Sequence, residues 1–425
     1  MASRAAEPAE PGQPAEAGGP AVGAWHLLRR NAAFRWLCSA RVISSTGDSL
    51  SLVALMLQVA GSTGRAFAVS LLLLAGDFAP SLLSPVTGAV SDRFDRRRVL
   101  IGCELVQGAL LVVIAVALPP LPLLLALVAV RALAGQVFRS ASRAAVPALV
   151  PDPELAAANS AVGIGGNGAE AAGPLLAAAL LPLAGIRGVL LADAASFLAS
   201  AAMLTTLPAL PTAGAAARPA LLGQARAGLR YLLATPVVRV VTLGFCAVVA
   251  CTAIDDVALV LLATDTFRAG AAAVGLLLGA VGVGLLLGYL ALGRRSAPLP
   301  MPALLVLGFA VSSLGNLLTG LAWAVAAAVA LQLIRGLGIA AIDVATNTLL
   351  QRLVPPALLG RVFGNLYGGV GVAAAISYLA GGLLLDATNA RVTFVVAGTG
   401  GLLATAAVAV ALPRALRRGD PTRPG

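Results

Sequence analysis

Residues Gly88 to Leu100 read G-A-V-S-D-R-F-D-R-R-R-V-L. Seven positions from Asp92 to Arg98 hold four arginines and two aspartates, and long stretches with almost no charge run on either side. Hydrocarbon expels such a cluster, so it must be a short loop at a membrane surface. The preference of arginine for the inner face assigns that surface to the cytoplasm.

The whole chain agrees with this reading. Its 425 residues are 59% hydrophobic and 11% charged, where a soluble domain carries about 25% charge. The net charge of +11 reflects arginines in loops between apolar runs, so no nucleic-acid partner is expected. All 29 basic residues are arginine. Without lysine a G-x-x-x-x-G-K-[ST] phosphate loop cannot form, which excludes ATP hydrolysis by that route. The single histidine, His26, precedes the apolar segments, so imidazole metal sites and Ser-His catalysis inside the membrane are excluded. No catalytic residue, metal or cofactor is expected. Cys38, Cys103, Cys246 and Cys251 lie in or beside apolar runs and read as small hydrophobes without a disulfide.

Residues 1–33 open with an Ala-, Pro-, Gly- and Glu-rich stretch that cannot bury enough surface to order itself, and read as a cytoplasmic tail, not a signal peptide. Apolar segments long enough to cross about 30 Å of hydrocarbon then recur. We number the expected spans 1 to 12: 36–59, 67–90, 99–118, 121–143, 160–183, 188–208, 238–263, 271–293, 302–320, 322–347, 362–385 and 392–412. The expected organisation is an N-terminal six-helix bundle (34–208), a cytoplasmic linker (209–237), a C-terminal six-helix bundle (238–412) and a cytoplasmic tail (413–425). In the linker, L-L-G-Q-A-R-A-G-L-R-Y-L-L puts its leucines on one side, as an interfacial helix does.

Arginine placement tests the map independently of hydropathy. With both termini inside, all arginines but six fall on the cytoplasmic side. Arg65, Arg187, Arg268 and Arg391 fall in external loops, while Arg131 and Arg335 lie within spans. A miscounted span would scramble this alternation. A shift of 204 residues carries Arg131 onto Arg335 and Leu149-Val150-Pro151 onto Leu353-Val354-Pro355. The two halves are therefore repeats in one orientation.

An ionisable group at mid-membrane costs about 2.5–3.5 kcal/mol on insertion scales, so each one needs a reason. Asp48, Asp77, Arg131, Glu170 and Arg335 fall at mid-depth, with Asp255 and Asp256 in the outer half of span 7. These are the cavity and proton-coupling candidates. Spans 3, 6, 9 and 12 carry no mid-depth charge on this map, because Glu104 and Asp193 count out near opposite surfaces. Helical spacing gathers Arg41, Ser44, Ser45, Asp48 and Ser51 into one stripe, Asn167, Glu170 and Pro174 into another, and Gln332, Arg335, Asp343 and Asn347 into a third. Asp48 is either a protonatable group in a transport cavity or the partner of a membrane arginine. Arg131 and Arg335 more naturally pair with carboxylates than touch substrate. An excess of buried acids suits protons or cationic substrates.

Gly88, Asp92, Arg93, Arg96 and Arg97 match G-x-x-x-D-R-x-G-R-R, and the chain resembles transporters of the major facilitator superfamily. Within that superfamily D-R-F-D-R-R-R-V-L, R-A-L-A-G-Q-V-F-R-S-A-S-R-A-A-V-P-A-L-V-P, G-Q-A-R-A-G-L-R-Y-L-L and Q-R-L-V-P-P-A-L-L-G-R-V-F-G resemble the drug:proton antiporter branch of macrolide and siderophore exporters. The resemblance implies an all-α membrane protein of twelve spans in two pseudo-symmetric bundles. Spans 1, 4, 7 and 10 would line a central cavity and spans 3, 6, 9 and 12 would face lipid. The motif would form a cytoplasmic latch. It further implies a monomeric plasma-membrane exporter of amphipathic small molecules, coupled to protons and embedded in the lipid bilayer. Asp95 stands where the motif has glycine, and the antiporter signature G-x-x-x-G-P-x-x-G-G survives only as Gly173-Pro174. The second departure keeps a uniporter or importer of a metabolite open, and a permease for a partner ATPase remains a further alternative.

Overall fold

The computed structural model describes residues 24–78, 95–151, 154–210, 221–293 and 300–418. Gly88, Asp92 and Arg93 of the loop motif lie outside these, as do residues 1–23 of the expected tail and the tip of the linker at 211–220. The described residues form helices joined by short turns. They are α1 (Ala24–Arg30), α2 (Ala32–Thr63), α3 (Ala66–Leu73), α4 (Arg96–Ala117), α5 (Leu121–Leu149), α6 (Leu155–Leu204) and α7 (Leu221–Ala234). After the linker come α8 (Pro236–Thr252), α9 (Asp255–Leu261), α10 (Ala271–Gly293), α11 (Met301–Gly320), α12 (Val325–Leu353), α13 (Pro356–Ala387) and α14 (Ala390–Arg418). Ten helices among the described residues are long and apolar enough to cross a membrane. One of them, α6, is two spans: Gly185, at φ 65° and ψ −177°, turns the chain between spans 5 and 6.

Local chemistry sets the ends. The Asn31 side chain accepts from the Phe34 N–H at 2.9 Å, capping α2, while its Nδ2 donates to the Leu149 carbonyl at 2.7 Å. The start of span 1 is thereby tied to the end of span 4. Asp95, the departure from the motif glycine, caps α4 by accepting from the Arg98 N–H at 3.0 Å, which supplies one of the donors that a helix start leaves unpaired. Its second oxygen accepts from the Leu210 N–H at 3.1 Å, and the Arg97 guanidinium donates to the Thr205 carbonyl. The described part of the motif thus fastens span 3 to the end of span 6.

Three expectations need correction. Spans 4 and 10 run further than 143 and 347, ending at Leu149 and Leu353. Span 7 is interrupted: α8 ends at Thr252, α9 restarts at Asp255, and a π-helical turn Leu262–Thr266 follows. A second π-helical turn, Leu74–Phe78, continues α3 in span 2 and carries Asp77 in its backbone. The Asp77 side chain is outside the described residues. Sequence periodicity cannot register such interruptions, because one inserted residue per turn leaves composition unchanged.

Spans 3, 6, 9 and 12 expose apolar side chains, among them Val113, Leu198, Leu307 and Leu403, as lipid contact requires. One apolar core joins residues of both halves, including Leu55, Val69, Leu181, Val257, Leu277 and Phe394, at the end of the bundle that holds the turns at Gly64, Gly185 and Arg268. Toward the opposite end the core separates. One cluster around Phe34, Phe138 and Leu204 belongs to spans 1–6, and others around Phe309, Leu349 and Leu232 belong to the later helices. The halves are therefore sealed at one end and packed separately at the other.

Candidate functional site

Two buried arginines organise the interior. Arg131 of span 4 donates to Asp48 of span 1 at 2.5 Å and lies 3.9 Å from the Asp193 carboxylate. Arg335, at the position related by the 204-residue shift, forms an ion pair with Asp255 of span 7. Each half thus ties its fourth span to its first through a guanidinium and a carboxylate. The pairs differ in access. The Asp48 side chain is 34% exposed, whereas Asp255 is buried.

The break in span 7 is what brings Asp255 to Arg335. Between α8 and α9 the backbone departs from the helix, and the Ile254 N–H donates to the Ser377 hydroxyl of span 11 at 3.1 Å. A Cβ at Gly381 of the same span would overlap the Ile254 side chain, so glycine lets span 11 approach the break. Asp255 starts the new segment α9, with Asp256 half-buried beside it and its N–H donating to the Asp255 carboxylate at 2.9 Å. Around Arg335 the hydrogen bonds continue, from its Nη1 to Gln332 at 3.1 Å and from Gln332 to Thr319 at 3.0 Å.

The polar stripes have different fates. In span 1, Arg41 donates to Ser142 of span 4 at 2.8 Å and Ser44 and Ser51 are buried. In span 10, Asp343 accepts from the Tyr289 hydroxyl of span 8 at 2.8 Å, and Tyr367 of span 11 points to Asn347 at 3.5 Å. Glu170 of span 5 is exposed. The Asn167 side chain is outside the described residues. Gly173 and Pro174 act in packing: a Cβ at Gly173 would overlap Ser49 and the Leu50 backbone in span 1, while Gly275 of span 8 sits against the Pro174 carbonyl. Small residues at such crossings let helices approach closely.

The expectation for Glu104 and Asp193 is overturned. Both are fully buried and point into the interior of spans 1–6, not toward opposite surfaces. Asp193 reaches Arg131 and accepts from Ser196 at 3.0 Å, and Glu104 faces Ser44 and Ser200. The sequence-based depth follows from span starts at 99 and 188. The helix of span 3 starts earlier, at its Asp95 cap, and span 6 begins at the Gly185 bend. Spans 3 and 6 are two-faced, apolar outward and acidic inward. The signal that could have found this is their exposed-face periodicity, since Glu104 and Asp193 fall opposite Val113 and Leu198. Tyr289 and Tyr367 were also missed, because an isolated tyrosine in an apolar run has no distinguishing spacing.

Comparison with known proteins places this architecture. Residues 22–421 match the family described as transmembrane secretion effector. The uncharacterized MFS-type transporter YfiS of Bacillus subtilis (strain 168) is 26% identical over 382 residues, covering 88% of this chain and 91% of that protein. An uncharacterized MFS-type transporter of Mycobacterium tuberculosis is 34% identical over 148 residues, 33% of either chain. Among solved structures the nucleoside transporter NupG superposes with a TM-score of 0.73 at 12% identity, over 89% of this chain and 98% of its own, and a point mutant of it with 0.75. A bacterial homologue of the iron transporter ferroportin in an inward-facing state gives 0.68 at 18% identity, over 91% and 99%. At such identities the likeness is one of fold. This chain belongs to the transmembrane secretion effector family of the major facilitator superfamily, as an all-α, multi-span secondary transporter and not an enzyme.

Proposed function

We propose that this protein is a plasma-membrane exporter of amphipathic small molecules, of the drug:proton antiporter kind, working by alternating access in exchange for protons. The observation that carries the reading is the Asp48–Arg131 pair: an acid with partial access to solvent, held by a guanidinium inside the first group of spans. A carboxylate in that position can take a proton from water on one side and release it to water on the other as the site changes exposure, pairing with Arg131 when ionised. Asp255 and Arg335 repeat the arrangement in the second half without the access. Residues 34–208 and 238–412 form the two rocking bundles in this reading, joined by the linker at 209–237. Arginine alternation supports cytoplasmic termini, so that the sealed end is external and the described conformation faces inward. Arg96 and Arg97, with the motif residues before them, belong to the cytoplasmic gate. The protein works as a monomer.

One observation favours a second reading. Ala169 and Ala177-Ala178 replace glycines of the antiporter signature around Gly173-Pro174, and a uniporter or importer of a metabolite needs no such signature. Transport separates the two. Cells with and without the gene, challenged with a panel of amphipathic toxins with and without an uncoupler, identify a substrate. In inverted vesicles its accumulation should follow the pH gradient, and Asp48→Asn should abolish that accumulation at normal expression. Transport by Asp48→Asn at the wild-type rate, or ATP-dependent transport insensitive to uncoupler, rejects proton exchange.

A further inference from the structure

The two halves differ in their buried charge. In the second, Arg335 meets Asp255. In the first, three carboxyls gather, Asp48, Asp193 and Glu104, and the guanidinium of Arg131 reaches two of them. Arg131 pairs with the first two. Glu104 is 0% exposed, and neither of its oxygens has a hydrogen-bond partner. The groups around it are the Asp48 carboxylate from span 1, the Asp193 carboxylate from span 6, the Ser44 and Ser200 hydroxyls, and Cys103 beside it in span 3. An ionised carboxylate in that setting would be desolvated and next to two groups of its own sign, with only the two serine hydroxyls turned toward it. Each of these penalties falls on the charged form alone.

We propose that Glu104 is a proton-binding site inside the first six spans, beside Asp48 and Asp193. Asp48 is the member of the cluster with solvent access, and Ser44, one helical turn before it, faces Glu104. The Glu104 carboxyl takes up one proton from water and returns it to water, one O–H bond forming or breaking, while ionised Asp48 is held by Arg131. Asp193, anchored by Ser196, keeps the second contact of Arg131. Gly47 makes this approach possible, because a Cβ there would overlap both the Asp193 carboxylate and the Ser196 hydroxyl. A role for this proton in export rests on the exchange reading above, whereas its presence on Glu104 does not.

The test uses the purified full chain without substrate. Infrared difference spectra across a pH step, in water and in heavy water, report protonated carboxyl groups through their carbonyl stretch. The wild type should show such a band at neutral pH. Glu104→Gln should lose it, Asp48→Asn should keep it, and Asp193→Asn should keep it at a shifted frequency because the facing charge is gone. Absence of the band from the wild type, or its persistence undiminished in Glu104→Gln, overturns the proposal. So does failure of Glu104→Gln to assemble, since the amide preserves the shape and charge of a neutral acid. If the vesicle experiment rejects proton exchange while the band behaves as expected, the export reading falls and the site stands. If the band is absent while transport follows the pH gradient, the site falls and the export reading stands.

Discussion

At the scale of single residues, the chemistry of this protein is that of guanidinium groups removed from water. Arg335 and Asp255 are both buried, and neither can relax toward solvent when the other is lost. Asp255→Ala should therefore lower stability by about 3–5 kcal/mol, the range for leaving a buried charge uncompensated. Replacing both partners together, as Asp255→Leu with Arg335→Met, should recover most of that loss, because well-packed apolar residues substitute for a buried ion pair at little cost. Transport should remain lost in the double variant if the pair is part of the machinery. Thermal unfolding in detergent and transport in vesicles read the two quantities separately; a double variant as unstable as the single one would deny that an unpaired charge is the cause. Arg131, Arg335 and Asp48 were legible because hydropathy makes an isolated charge conspicuous and the 204-residue shift relates the arginines. Asp193 and Glu104, the other acids of that cluster, were not. An acid near a span end looks harmless until the true helix start is known, and for Glu104 and Asp193 that start depended on a cap and a bend.

Among the elements, the contact that holds the sealed end is made by a helix start. Span 2 begins at Ala66 without a side-chain cap from Arg65. The missing acceptor comes from span 11: Asp386 accepts from the Ala66 N–H at 2.6 Å and the Phe67 N–H at 3.4 Å. A carboxylate at a helix N-terminus is favoured both by these donors and by the helix dipole. The contact crosses between the halves and exists only while this end is shut. Asp386→Ala should weaken that closed state by about 0.5–2 kcal/mol, the usual worth of an N-cap. This is roughly a two- to thirty-fold shift toward opening. Distances between spin labels on the turns at Thr63 and Thr388 would show it as a longer-distance population; an unchanged distribution would mean that the apolar core alone seals this end. Span 5 and its partner span 8 work similarly by shape, since Gly282 meets Ala171 and Gly279 meets Leu175. The alternating small residues of span 8 could be read from the sequence, but their partner could not.

At the scale of the whole molecule, the distribution of arginines and the packing of the core describe the same axis. Arg65, Arg187, Arg268 and Arg391 all stand at the end where one core spans both halves, and Arg391 donates there to the Ala322 carbonyl at 3.0 Å. The remaining described loop arginines stand at the other end, where the cores are separate. In the topology proposed above, that second end is the cytoplasmic one. Reporter fusions that fluoresce only in the cytoplasm should therefore be bright after Leu149 and Leu353 and dark after Thr63 and Ala117. The opposite pattern would invert the direction of transport inferred from the closed end. The sequence by itself determined that the chain lives in a bilayer, how often it crosses and which loops share a side, because the free energies of placing apolar segments and arginines are large and depend on composition alone. Only the tertiary structure decided that Asp255 meets Arg335 across a broken span, that Glu104 and Asp193 turn inward, and that Asp386 seals one end. These outcomes depend on where helices begin, bend and touch, and packing between distant segments sets such positions, not the local pattern of any one of them.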